Sequence, residues 1–98
     1  MATISVLDLM MIGEDKTYTD TLDDAVMLAR HVEQHGLQRY WIAEHHDLPG
    51  IASSATTLLI SHLAAATSHL RVGAGGIMLP NHSPLMVAEQ FATLETLY

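Results

Sequence analysis

The chain has 98 residues, 49% of them hydrophobic, no cysteine, and eleven acidic against four basic side chains, for a formal charge of −7. No disulfide framework or thiolate metal site can form, which suits a reducing compartment such as the cytoplasm, and no basic stripe exists for a nucleic-acid backbone. The start, Met1-Ala2-Thr3-Ile4-Ser5-Val6-Leu7-Asp8, lacks the positive n-region of a signal peptide, and no stretch reaches the ~18 uninterrupted apolar residues of a membrane span, so neither export nor a membrane is expected.

Residues 3–12 (Thr-Ile-Ser-Val-Leu-Asp-Leu-Met-Met-Ile) are mostly apolar and partly β-branched, as a strand covered on both faces should be. The polar run from Gly13 to Asp20 reads as a loop. Asp20-Thr21-Leu22-Asp23-Asp24 then reads as a helix start, with acids near the positive end of the macrodipole. Leu22, Ala25, Val26, Ala29 and Val32 recur at helical spacing through Gln34, and Gly36 is placed as the stop. Only Leu37 and Gln38 separate that helix from Arg39, where a second strand begins and runs through Trp41 and Ala43 into Glu44-His45-His46-Asp47.

His46 to Ser53, marked by Pro49-Gly50, is expected to be a loop, with Ser53 or Ser54 capping a second helix to about Ala66. Leu58, Leu59, Leu63 and several alanines make that helix apolar nearly all round, as in a helix packed on two sides. Leu70 to Leu79 reads as a third strand containing Gly73, Gly75 and Gly76. After the turn Pro80-Asn81-His82, Ser83 as N-cap with Pro84 at the first helical position opens a third helix that reaches Tyr98. The β-α-β-α-β-α pattern, without linker or repeat, predicts an α/β fold: one partial domain over residues 1–98 with a parallel sheet in the order 1-2-3.

The apolar fraction is high for so short a chain, because small domains bury a lower share of their surface than large ones. Three parallel strands also leave two open edges and an inner face with nothing in the chain to pack against. A free monomer is therefore expected to be unstable or sticky, and a homo-oligomer is expected.

Ligands of parallel α/β sheets bind at the carboxyl ends of strands, so the end of the second strand is the candidate site. Alternation puts Trp41, Ala43 and His45 on one face and Tyr40, Ile42, Glu44 and His46 on the other, which sends the two histidines opposite ways and disfavours a shared metal ion. His31, His35, His62, His69 and His82 lie on helices or loops without matching spacing, and no metal site is expected. Glu44, His45 and His46 then read either as an acid–base site or as hydrogen-bonded loop residues. The glycines likewise admit two readings. One is a bulge that bends the strand; the other is that Gly73, Ala74, Gly75 and Gly76 clear a strip for a flat ring to lie against the backbone. Neither a dinucleotide nor a phosphate-loop spacing is present, Arg39 and Arg71 sit at strand starts away from the loops, and no serine lies in a G-x-S-x-G elbow.

Four motifs in order, Ala43-Glu44-His45-His46, Pro49-Gly50-Ile51-Ala52-Ser53, Arg71-Val72-Gly73-Ala74-Gly75-Gly76-Ile77-Met78-Leu79-Pro80-Asn81-His82 and Ala88-Glu89-Gln90-Phe91, resemble the bacterial-luciferase-like, flavin-dependent monooxygenases. The resemblance runs from Ser5 onward and covers only the first part of that family's domain, a (β/α)8 TIM barrel of roughly 250 residues or more. It implies the first three βα units of an incomplete barrel: the N-terminal part of an oxidoreductase that uses reduced FMN and O2 on a small organic substrate. A deazaflavin is the alternative coenzyme, since related families use one on the same barrel.

Carried over residue by residue, the resemblance makes His45 the active-site histidine beside the flavin, with Glu44 as its motif partner orienting the loop. An imidazole there can give or take a proton near neutral pH. It makes Ala74, Gly75 and Gly76 the bulge beneath the ring, where the family often has a non-prolyl cis peptide; Gly75-Gly76 matches that position. Met10-Met11-Ile12-Gly13-Glu14-Asp15 departs from the Pro-containing run of close relatives. The family holds the flavin phosphate with residues from later loops, so these residues alone are expected to bind flavin weakly or not at all. The rival expectation is a truncated, non-catalytic chain that closes its sheet edges by self-association.

Overall fold

A computed structural model describes residues 2–98. In chain order it contains β1 (Val6–Asp8), α1 (Tyr18–Gln34), β2 (Arg39–Ile42), α2 (Thr56–Ala66), β3 (Arg71–Ala74), a 3-10 turn (Leu79–Asn81) and α3 (Pro84–Leu97). The strands form one parallel sheet in the order β1-β2-β3, with Tyr40 in register with Val6 on one side and Val72 on the other. The alternation and the strand order expected from the sequence are both found.

Chemistry at the element ends explains where the boundaries differ from those expected. α1 starts at Tyr18, two residues before Asp20: the Thr17 hydroxyl accepts the Asp20 N–H at 3.0 Å while the Asp20 carboxylate accepts the Thr17 N–H at 2.8 Å. Asp20 is the third residue of the helix and closes a capping box with Thr17; it is not the cap itself. Gly36 ends the helix as expected, with a φ of +82° that a side chain would resist.

α2 has Ala55 at its N-cap and no side-chain cap. Ser53 is fully buried and its hydroxyl donates to the Leu9 carbonyl at 3.2 Å, so it holds the loop after β1 and is not the expected cap. Ser83 sits at the N-cap of α3, but its hydroxyl makes no capping hydrogen bond.

β1 is far shorter than the expected 3–12. Met10 turns out of the strand with φ of 50° and donates its N–H to the Asp8 carboxylate at 2.8 Å. The chain then pairs antiparallel with the loop after β2: Ala52 N–H donates to Met10 O at 2.9 Å and Ile12 N–H to Gly50 O at 2.8 Å. β3 likewise ends at Ala74 and not at Leu79, because the chain leaves the ladder at Gly75.

The core lies between the sheet and its helices. Tyr40 and Ile42 of β2 are fully buried against Ala25, Ala29 and Val32 of α1 and Leu59, Ile60 and Leu63 of α2, and each large apolar side chain there contributes on the order of 2 kcal/mol by leaving water. The other sheet face is open, with Leu7 58% and Trp41 36% exposed. The strands are therefore covered on one face only by the described residues, not on both. At the foot of the sheet Glu33 near the end of α1 accepts the N–H groups of Ser68, His69 and Leu70 at 2.6–3.1 Å, fastening the α2–β3 turn to α1. No helix of the described residues is long and apolar enough to cross a membrane.

Candidate functional site

β2 delivers its last residues to a rim built from two loops. Within the strand Tyr40 and Ile42 point to the helices and Trp41 to the open face, as alternation requires. Past Ile42 that alternation stops, since Ala43 and Glu44 are both buried. Their backbone is held by the end of β1, the loop after β2 and the start of α2: Ala43 N–H donates to Asp8 O at 3.2 Å, His45 N–H to Ser53 O at 2.9 Å, and the Thr56 hydroxyl to Ala43 O at 3.1 Å. The Pro49 to Ser53 segment thus fixes the height of His45, while its own Gly50 and Ala52 pair with the loop after β1.

Glu44 is the most engaged side chain of the site. Its carboxylate, 1% exposed, accepts His46 Nε2 at 2.6 Å, His82 Nε2 at 3.0 and 3.1 Å, and the Met78 N–H at 3.2 Å. Burial by itself would raise the acid's pKa, but the bonds from His46, His82 and Met78 outweigh it and hold the carboxyl below its ordinary range. An ionised carboxylate only accepts, so both imidazoles carry a proton on Nε2.

His45, by contrast, is half-buried and its imidazole has no hydrogen-bond partner among the described residues. It stands at the carboxyl end of the sheet with both ring nitrogens unengaged. His46, unlike His45, is turned to Glu44.

Sequence reasoning set His82 aside as a turn residue. Its contact with Glu44 spans 38 positions and carries no short-range signal; the Pro80-Asn81-His82 turn that places it was the available clue. His31 on α1 and His35 at its C-cap, four positions apart, do have matching spacing: their ring centroids lie 4.2 Å apart. Among the described residues no group of three or more His, Cys, Asp or Glu side chains is arranged to hold a metal ion.

The glycines divide by what stands over them. A Cβ at Gly73 would lie 2.9 Å from Trp41 Cζ3, and one at Gly75 would lie 3.1 Å from both Leu7 Cδ1 and Trp41 Cβ, so their clearance admits this chain's own indole. Of the three glycines that follow Val72, Gly76 is the one that faces open space, with nothing within 4 Å of a would-be Cβ. The Gly75–Gly76 peptide is cis. Ala74 packs its methyl against the core, so only its backbone is available to the open side. Arg39 and Arg71 stand in register at the starts of β2 and β3, at the end of the sheet away from His45. The candidate site therefore comprises His45, the Glu44–His46–His82 cluster and the open backbone at Gly76, and the residues present fit a flat ring over a narrower strip than the sequence predicts.

Comparison with known proteins follows the same outline. The sequence profile described as "Luciferase-like monooxygenase" matches residues 3–98. A luciferase-like monooxygenase of Escherichia coli (strain K12) is 54% identical over 94 residues, covering 96% of this chain and 28% of that protein. Among solved structures, apo-MsnO8 superposes on the whole chain with a TM-score of 0.96 at 41% identity, over 30% of its own length. The FMN complex of the oxygenating constituent of 3,6-diketocamphane monooxygenase, from the CAM plasmid of Pseudomonas putida, matches with a TM-score of 0.84 over 94% of this chain and 25% of its own. At 18% identity that last match shows the fold alone. The chain spans under a third of the length of these relatives.

Proposed function

Since the chain belongs to the luciferase-like monooxygenase family, we propose that it forms the first three βα units of a TIM-barrel enzyme that uses reduced FMN and O2 on a small organic substrate, with His45 as the proton-handling group. The observation that carries this is the contrast at the end of β2, where Glu44 and His46 are tied down and the His45 imidazole is left unengaged at the carboxyl end of the sheet. Support for FMN comes from the diketocamphane enzyme, which holds that flavin on the same fold. Bound reduced flavin would supply the electrons that activate O2. The chain's own residues would do the rest: the open backbone at Gly76, with that of Ala74 and Gly75 beside it, would receive the ring; Trp41 and Leu7 would floor the open side; and His45 would give or take a proton.

His45→Gln, made in the protein that carries this chain, is expected to leave flavin affinity within about twofold while lowering turnover by ~100-fold or more, the usual scale of a general acid–base contribution. Turnover within about twofold of wild type would sink the assignment. Reconstituting the same protein with a deazaflavin in place of FMN tests the runner-up coenzyme: reduction by substrate of the deazaflavin form alone would favour it.

A second reading has its own observation. The open sheet face, with Leu7 and Trp41 exposed, lets these 98 residues by themselves act as a self-associating, non-catalytic chain. Flavin titration beside sedimentation separates the two: an oligomer blind to flavin supports this second reading for the isolated chain, and tight flavin binding with turnover overturns it.

A further inference from the structure

We propose that Glu44 is a positioning residue that locks the two halves of the site together: one buried carboxylate holds the loop carrying His45 and the segment following Gly76 in a fixed relation, through His46 on one side and His82 with the Met78 N–H on the other. The proposal rests on the flavin reading above, which supplies the site whose halves are being joined.

The geometry leaves that task to few groups. The parallel ladder between β2 and β3 makes its last backbone hydrogen bond from Gly75 N–H to Ile42 O at 2.8 Å. Beyond it, residues 76–82 have left the sheet, and every side-chain hydrogen bond that returns from them to residues 44–46 ends on Glu44, at Met78 and His82. Glu44 is bonded through the chain to His45, so the position of its carboxylate and that of the His45 backbone are not independent. His46 closes the arrangement by donating to the same oxygen that His82 reaches.

The residue type follows from the donors. Three N–H groups converge on two oxygens of a carboxylate that itself has almost no access to water, and only a group with acceptor capacity alone satisfies them all. A glutamine of the same shape brings one accepting oxygen and an NH2 that opposes the imidazole donors. Glu44 touches no reacting atom in this arrangement; it acts through the segments it joins.

The test is a double-mutant cycle of Glu44→Gln and His82→Phe in the protein carrying this chain, read in two ways. In the flavin-free protein, Glu44→Gln is expected to speed amide hydrogen exchange at both Met78 and His45 by about tenfold or more while Ala29 in the core of α1 keeps its protection. In the flavin-loaded protein, each single variant is expected to weaken FMN binding and lower kcat by ~10-fold with substrate KM within about twofold, and the double variant to be little worse than either single. Effects that multiply independently, or exchange that quickens at every amide alike, would overturn the proposal. His45→Gln run beside the cycle keeps the two claims apart: undiminished turnover there refutes the flavin reading, whereas lost turnover there with independent effects at Glu44 and His82 refutes the lock alone.

Discussion

Trp41 lies across Gly73 so closely that a Cβ at position 73 would stand 2.9 Å from its Cζ3 atom and 3.1 Å from its Cε3 atom. The two residues are neighbours in register on β2 and β3, so the strand without a side chain provides the berth for the strand with the largest one. Gly73→Ala is therefore expected to push the indole aside and destabilise the chain by about 1–3 kcal/mol. In a Trp41→Leu background the same substitution is expected to cost well under half of that, because the clash is gone. Chemical denaturation of the four proteins measures the difference, and an equal cost in both backgrounds would show that Trp41 is not the obstacle.

Glu33 gives the foot of the sheet an acid-sensitive fastening. The His69 N–H first, with those of Ser68 and Leu70, holds its carboxyl below the ordinary range against the opposing effect of burial. A depressed folded-state pKa contributes stability that is present above the unfolded value of ~4.3 and disappears as pH falls through the folded value. Glu33→Gln should lower stability at pH 7, by about 2 kcal/mol for hydrogen bonds to a charged group, and should flatten the loss of stability below pH ~4.3. Melting temperatures of both proteins across that range decide it, and parallel curves would refute the assignment.

Tyr40 behaves in the opposite sense. Its phenol is buried and donates to the Asp8 carboxylate, and burial followed by that bond raises its pKa far above the ordinary value. A tyrosine raised in the folded state contributes stability that is complete below its unfolded pKa of ~10 and is lost as pH climbs beyond it. Tyr40→Phe is expected to cost about 1–3 kcal/mol at pH 7, since Asp8 loses a partner in a part-buried place. It should also remove part of the alkaline destabilisation, seen as a shallower fall of melting temperature above pH 10.

At the start of α1, Thr17→Ala removes the hydroxyl that accepts the Asp20 N–H and is expected to cost about 1 kcal/mol. Asp20→Asn should cost less, because an amide oxygen still accepts the Thr17 N–H but without the charge that suits the helix start. The order of the two melting temperatures is the check.

Element order, strand order and the inward set of α1 were legible because each rests on periodicity: Ala25, Ala29 and Val32 repeat with the helix, and Tyr40 and Ile42 with the strand. Two things were not. Element ends depended on which polar side chain meets which backbone group: Ser53 had the chemistry of a cap but spends its hydroxyl on Leu9, and Thr17 caps in place of Asp20. The Glu44 cluster joins residues 34 and 38 positions apart, and nothing within a local window marks His82 as the group that meets an acid at the end of β2.

The three N–H groups of Ser68, His69 and Leu70 that close on Glu33 form a small concave nest of the kind that elsewhere grips phosphate or sulfate. Here the chain brings its own counter-anion on a helix 17 residues long and plugs the nest from within. Those three N–H groups are thereby closed to any added anion.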